Sequence, residues 1–436
     1  MKTDNIYLAV DYGASKSLMM IAEKDFEGKL HILGMEEERT PDMMSPIHIF
    51  GSQLLRCVNR CENVERFAQC YKGYSCQSLR SNKKLQIKKN VDGRMIDQSL
   101  LNEMDAICTA EAEVSMEQIP LAVRALKYYV DEEEVQQSPI GRNCSVLRAD
   151  YLCLSAKRVF AAKEELANDI VKYVTAPLAM AENLLTERER NNGCVLIDFG
   201  AHLTTMVVCY HGKVQHVATI PLGGRNVTLD VAAILGIPED DAEHNKITFG
   251  NANTDTVGTE HKLININGKE VEFSLDGLSQ IIAARENEIL EYIWRELRQL
   301  NCFDKISEGI IITGGASQMR GLDELISKRQ VKVKQLNLDQ YLDASSRVAY
   351  RNPKYAQVLA LLLGATENAA VFKKPVEVVV EEPVENTDSF GSQNETVVAA
   401  EQQEQERNNN GERKRRNIFD GLKDTFGNLF GENDPE

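Results

Sequence analysis

A chain of 436 residues can bury a large core, and its formal net charge of −16 argues against general nucleic-acid binding. No apolar run reaches the roughly 20 residues needed to span a bilayer, and the opening MKTDNIYLAV lacks the pattern of a secretory leader, so the sequence reads as cytosolic. Ten Cys are scattered without a compact disulfide framework, as expected of reduced thiols.

In chain order, IYLAVDYGASKSLMMIAEKDFEGKLHIL predicts an apolar strand into Asp11, a turn of small residues from Gly13 to Ser15, a second strand, a corner at Gly28 and a third strand. Gly51 to Gln69 reads as a helix with Leu54, Leu55, Val58 and Phe67 on one side. Cys57, Cys61, Cys70 and Cys76 lie close together, but their spacing is not the paired CxxC of common zinc modules. Gln77 to Val135 is polar, with a turn at Asp92-Gly93 and a helix expected over Gln98 to Glu111. A turn at Pro139 to Gly141, two strands and a helix rich in Ala and Glu then suggest a small inserted α/β subdomain. Pro177 to Leu185 reads as a helix connecting two lobes.

The second lobe opens by repeating the first pattern. Cys194 to Asp198 is an apolar strand ending on an acid, followed by Gly200, a strand from Thr204 to Tyr210, a His211-Gly212 corner and a strand that stops at Gly223-Gly224. Glycine lets a phosphate approach the backbone, the hydroxyls of Thr204 and Thr205 can donate to its oxygens, and Asp198 can hold hydrated Mg²⁺. A repeat this widely spaced suggests two similar lobes, each offering one acid-bearing hairpin to a shared cleft. Val227 to Leu235 reads as a helix, and in AEHNKITFGNA the pair Glu243 and Lys246 lies one helical turn apart, an ordinary surface ion pair if taken alone. A long helix follows with Leu278, Ile281, Ile282, Ile289, Ile293, Leu297 and Leu300 at three-to-four-residue spacing and Trp294 in the core. In GIIITGGASQMRG a buried strand runs into the Gly314-Gly315 turn, where backbone can approach a flat ligand or a phosphate.

The folded body is expected to finish with a helix from Tyr355 to Leu363. Between Pro375 and Gly411 there are nine acidic residues and one basic residue, Arg407, in a Gln- and Asn-rich stretch that reads as a disordered linker. Beyond it, RKRRNIFDGLKDTFGNLF sets Ile418, Phe419, Leu422, Phe426, Leu429 and Phe430 on one helical face behind the basic cluster Arg413 to Arg416. That pattern suits an amphipathic helix lying on an anionic membrane surface.

Two Asp-bearing hairpins, a connecting helix, AExxK and a late strand-GG-helix, in that order, resemble the actin-like ATPase superfamily. Within it the PIG turn, IPLGG, AExxKxxxGxA, ITGGASQMRG, the NPKYA helix and the amphipathic end resemble the bacterial cell-division family FtsA. The resemblance implies an α/β, ribonuclease H-like two-lobed fold with ATP and Mg²⁺ in the cleft. It implies a first lobe over residues 1–80 and 159–192, an insertion at 81–158, a second lobe at 193–350, a returning helix at 351–374, the linker at 375–411 and the membrane-targeting tail at 412–436. Asp11, Gly13, Ser15 and Lys16 are then placed at the phosphates as a first loop, and Asp198, Gly200, Thr204 and Thr205 as a second, with Gly223 and Gly224 beside it. Asp11 and Asp198 would act on Mg²⁺ through water and carry whatever weak hydrolysis occurs. Glu243 and Lys246 would lie near the ribose and base, and Gly314, Gly315 and Met319 around the adenosine.

The same resemblance puts Arg285 in a site for the acidic C-terminal peptide of FtsZ, the tubulin-like division protein. It further implies self-assembly into actin-like filaments, other division proteins as partners, and a peripheral location on the cytoplasmic face of the inner membrane at the division site. The chain departs from the family at His202, where Gly is usual, at Ala284, where Pro often precedes the arginine, and in the Cys57 to Cys76 segment. A pilus-assembly scaffold or a metabolite kinase of the same fold are the rival readings, and no general base for a substrate hydroxyl accompanies the nucleotide motifs.

Overall fold

In the computed structural model, residues 5–13, 15–40, 46–61, 63–112, 117–135, 138–161, 169–266 and 269–373 are described. The linker and the apolar face from Ile418 to Phe430 lie outside the described residues, as does Ala14.

The first sheet grows from three consecutive apolar strands, β1 (Ile6–Tyr12), β2 (Lys16–Lys24) and β3 (Leu30–Arg39), paired antiparallel. Helix α1 (Pro46–Arg60) follows, then β4 (Val64–Phe67) and β5 (Cys70–Tyr74), which joins the other side of β1 in parallel. Alternation along β1 and β2 feeds two cores. Ala9, Leu18 and Met20 face one, while Leu8, Val10, Met19 and Ile21 meet Phe50 and Cys57 in the other.

The chain then leaves this sheet for β6 (Arg80–Asn90), α2 (Gln98–Ala112), β7 (Gln118–Val130), β8 (Glu133–Val135) and β9 (Val146–Lys157). These strands form an antiparallel group in the order β6-β9-β7-β8, and Leu100 and Met104 of α2 pack on Ile87, Leu147 and Tyr151. After the short α3 (Arg158–Ala161), β10 (Val171–Thr175) completes the five-stranded sheet in the order β10-β5-β1-β2-β3. Helices α4 (Ala176–Leu184) and α5 (Glu187–Asn192) lead to the second lobe.

There β11 (Cys194–Phe199), β12 (Thr204–Tyr210) and β13 (Lys213–Ile220) form a second antiparallel meander, followed by α6 (Gly224–Leu235) and α7 (Glu239–Phe249). The hairpin β14 (His261–Ile266) and β15 (Lys269–Ser274) precedes α8 (Leu275–Leu300), whose N-terminus is capped by the Ser274 side chain and whose Leu278, Ile282, Ile289, Ile293, Trp294 and Leu297 are buried. Strands β16 (Ile310–Thr313) and β17 (Val333–Gln335), separated by α9 (Leu322–Ser327), extend the meander in parallel. The chain returns through α10 (Arg347–Tyr350) and α11 (Ala356–Gly364) to β18 (Ala370–Phe372), which pairs with β4. One core joins α4 and α11 to inward residues of both sheets, including Leu196 and Val207 of the second.

Strand β13 also pairs with β6 at Ala218 and Arg80, so the second-lobe sheet runs on through the β6-β9-β7-β8 group as nine strands. The junction is reinforced by Thr219 N donating to Leu79 O at 3.0 Å and Lys213 Nζ donating to Leu126 O at 2.6 Å. Beside it, Ser81 Oγ lies 2.7 Å from His216 Nδ1, and Glu296 meets both His216 and Arg80 at 3.3 Å.

Several sequence expectations are corrected. The helix expected over Gly51 to Gln69 starts at Pro46 and stops at Arg60, and Leu55 is exposed. Phe67 instead belongs to β4, because it pairs with Ala370 some 300 residues away, a partner no local pattern reveals. The polar stretch from Gln77 to Val135 holds long strands, each with one solvated face. The two strands expected after Gly141 are one, β9, and the Ala- and Glu-rich helix is described only as α3, its remainder lying outside the described residues. A strand, β18, follows the helix taken to be the last element.

Candidate functional site

Strands β1 and β11 end alike. Each delivers an acid and then closes a tight turn in which a glycine N–H donates to the carbonyl three residues on, Gly13 to Lys16 and Gly200 to Leu203, both at 2.9 Å. The two acids come close enough to act on one another. Burial first, and the charge of Asp11 second, raise the carboxyl of Asp198 to about 7. Asp11 is held by Gln357 Nε2, which donates to Oδ1 at 2.6 Å from the first turn of α11.

The late glycines bring a third loop against Asp198. Thr313 pairs with Asp198 across β16 and β11, and Gly314 follows with φ +90°. A Cβ on Gly314 would stand 2.2 Å from Asp198 Oδ1, so only glycine fits. Gly315 faces Lys354 across the cleft, and Gln318 accepts from Asn352 Nδ2 at 2.7 Å. Met319 lies at the end of the same turn, where Arg320 O accepts from Ala252 N at 2.7 Å and joins this loop to the chain leaving α7.

The second loop is stitched to α6. Gly224 N donates to Gly200 O at 3.0 Å and Arg225 N to Ala201 O at 2.7 Å, while Gly223 packs so closely that a Cβ would meet Gly200 O at 2.5 Å. Thr204 and Thr205 are buried here. Thr204 Oγ1 donates to Leu222 O at 2.9 Å and the Thr205 hydroxyl lies 3.4 Å from that of Thr219, so in this structure both hold the loop together. His202 Nε2 lies 3.4 Å from Arg225, whose guanidinium also grips Glu239 at 2.6 and 3.1 Å.

Ser15 is exposed beside Gly13. Lys16 pairs with Glu37 at 3.0 Å, as does Lys354 from the other end of the chain, and burial lowers the Lys16 ammonium against the pull of Glu37. Glu243 and Lys246 are no simple surface pair. Lys246 is buried, and its ammonium reaches Glu243 at 2.7 Å, Thr228 Oγ1 at 2.9 Å and the carbonyl of Gly224 at 3.0 Å. These contacts link Asp11, Gly13, Lys16, Asp198, Gly200, Gly223, Gly224, Lys246, Gly314 and Gly315 from distant parts of the sequence.

Arg285 lies apart from this cluster, on the face of α8 toward α6. Its guanidinium forks onto Asp230 at 2.6 and 2.9 Å and also pairs with Glu288. Gln357 and Lys354 were not singled out from the sequence. Both follow Asn352-Pro353 at the start of the returning helix, a boundary that was legible although its contacts were not. Cys57 and Cys70 sit in the apolar core, burial pushing the Cys57 thiol up to about 12, and among the described residues no three His, Cys, Asp or Glu side chains gather as a metal cluster.

The family described as Cell division protein FtsA matches residues 195–360. Cell division protein FtsA of Neisseria meningitidis serogroup B is 28% identical over 404 residues, covering 88% of this chain and 95% of the relative. That of Pseudomonas aeruginosa is 23% identical over 377 residues, covering 83% and 90%. Among solved structures, the PilM-PilN type IV pilus biogenesis complex aligns with a TM-score of 0.56 over 84% of this chain and 99% of that one, at 16% identity, a likeness of fold. Over most of its length the chain is thus similar in sequence to the FtsA proteins of cell division, and its two-lobed fold is that of an actin-like protein.

Proposed function

We propose that this cell-division protein binds Mg²⁺-ATP between its lobes, polymerises in an actin-like manner and tethers FtsZ to the cytoplasmic face of the inner membrane. The observation that carries the nucleotide reading is the pair Asp11 and Asp198 at the ends of matching strands, where burial first and the charge of Asp11 second push Asp198 toward its neutral form. A divalent cation relieves that repulsion. Two carboxylates, with no third acidic side chain gathered beside them among the described residues, suit Mg²⁺, which keeps waters and takes oxygens from a bound phosphate chain. When bound, the metal would neutralise the charge of that chain. Asp11 and Asp198 would hold its water shell, with Gln357 fixing the orientation of Asp11. Gly13 and Gly200 leave room for phosphate oxygens, and Lys16 can turn from Glu37 toward them. With no separate base for a substrate hydroxyl, nucleotide acts as a control on assembly and any hydrolysis is weak.

Tethering is assigned to Arg285 for the acidic FtsZ peptide and to the apolar face from Ile418 to Phe430 for anionic lipid, with other division proteins recruited to the assembled filament. Calorimetric titration of Mg²⁺-ATP into the full chain is the test, paired with co-sedimentation with FtsZ and with anionic liposomes. Binding of all three is expected. Nucleotide affinity unchanged in Asp198→Ala overturns the cleft assignment, and failure to sediment with either partner overturns the tether.

A further inference from the structure

The polar interior between α6, α7 and α8 holds one carboxylate more than its paired contacts use. The three donors of the Lys246 ammonium already reach Glu243 Oε2 at 2.7 Å, Thr228 Oγ1 at 2.9 Å and Gly224 O at 3.0 Å. Glu286, on α8, is 2% exposed, and its Oε2 has no hydrogen-bond partner among the described residues. The helices cannot separate to admit solvent without losing close contact. A Cβ on Gly250, the residue after α7, would stand 2.6 Å from Ile282 Cδ1, one turn before Glu286.

A buried, unpartnered carboxyl is tolerable only when neutral. Burial raises Glu286 to about 7, and the Lys246 charge is the one influence that pulls it back. The other charged groups nearby are engaged with one another: Glu243 with Lys246, and Arg285 with Asp230 and Glu288. Of the two carboxylates that act on Lys246, Glu243 is the one open to solvent, its side chain 44% exposed.

We propose that Glu286 is a reserve counter-ion for Lys246, neutral while Lys246 pairs with Glu243 and ionised when a nucleoside's hydroxyls draw Glu243 away. This rests on the nucleotide reading above and assigns Glu286 a positioning role in it. A ribose hydroxyl that donates to Glu243 competes with Lys246 for the same oxygens. The ammonium, too buried to recover its water, then needs a second anion, and Glu286 supplies one by releasing its proton to solvent. Nucleotide binding is thereby coupled to proton release, and Lys246 stays fixed beside Gly224 whether or not Glu243 is occupied.

The test is titration of Mg²⁺-ADP into the full-length protein at pH 7, in two buffers of different ionisation enthalpy, to count protons per nucleotide bound. The wild type should release roughly one proton at pH 7, about half from Asp198 as it meets Mg²⁺ and about half from Glu286, and almost none at pH 9, as expected of two groups half neutral at the lower pH. Glu286→Gln, of the same shape and permanently neutral, should bind nucleotide with only the Asp198 share of that release. Glu243→Gln leaves Lys246 to Glu286 from the start, so the release should fall to the Asp198 share there too, alongside weaker binding. Equal proton release by wild type and Glu286→Gln overturns the proposal, as does binding with no release at all, and both leave the nucleotide reading standing. A wild type that binds no nucleotide overturns both.

Discussion

Asp11 is the last residue but one of β1 and Asp198 the last but one of β11, and the charge of the first reinforces burial in raising the pKa of the second to about 7. A carboxyl whose pKa is raised from its ordinary value near 4 to about 7 binds more protons folded than unfolded within that window. Its contribution to stability is therefore present below about pH 4 and lost as the pH rises toward 7. Without nucleotide, Asp198→Asn should flatten this fall, and Mg²⁺ with nucleotide should offset it in the wild type by favouring the ionised form. Thermal unfolding between pH 4.5 and 8 checks this, and identical pH profiles for wild type and variant would contradict it.

The two late glycines should respond oppositely to substitution. Gly314 has φ +90° and no room beside Asp198, so Gly314→Ala should cost more than about 1 kcal/mol and weaken nucleotide binding through the displaced carboxylate. Gly315→Ala meets nothing nearer than Lys354 Cβ at 4.0 Å and should leave stability almost unchanged. Denaturant unfolding of the two variants decides, and equal losses would sink the distinction.

Arg285 is already engaged, since Asp230 supplies the forked partner that an acidic peptide would otherwise offer. Arg285→Gln should cost about 1 kcal/mol of stability and weaken binding of the FtsZ tail peptide. Asp230→Asn removes the same internal ion pair yet frees the guanidinium, so peptide affinity should rise several-fold. If Asp230→Asn weakens the peptide as much as Arg285→Gln does, the arginine is structural.

The apolar face beyond the linker should account for membrane binding. Each large side chain contributes up to ~1.5–3 kcal/mol if fully buried and less at an interface, and each of Arg413 to Arg416 adds about 1 kcal/mol near anionic lipid. Phe419→Glu with Phe426→Glu should release the protein from anionic liposomes and leave nucleotide binding intact. Flotation of that double variant with the vesicles would refute the assignment.

What the sequence made legible is what local pattern encodes. An apolar run into Asp11 or Asp198, a glycine where backbone approaches an acid, and the 3.6-residue stripe from Leu278 to Leu297 all carry their structure in neighbouring residues. Phe67 looked helical because its strand partner, Ala370, enters at the far end of the chain. Thr204 and Thr205 were legible as hydroxyls beside the second loop, but not where those hydroxyls point, which depends on residues distant in sequence, here Leu222 and Thr219. Gln357 lay as an isolated polar residue in an apolar helical stretch and Glu286 in a polar run with Arg285, Asn287 and Glu288, and only the packing of α11 under β1 and of α8 against α7 gives them something to act on.

Because β13 hydrogen-bonds to β6, the β6-β9-β7-β8 group is mechanically an outrigger of the second lobe, although its chain departs from the first. Torque applied at the cleft reaches it through the sheet. With neighbouring strands about 4.8 Å apart, β8 stands roughly 29 Å from β11, so a turn of about 10° around β11 would sweep β8 through about 5 Å. A small change at Asp198 is thereby magnified at the far edge of the sheet, well outside the reach of any bound nucleotide.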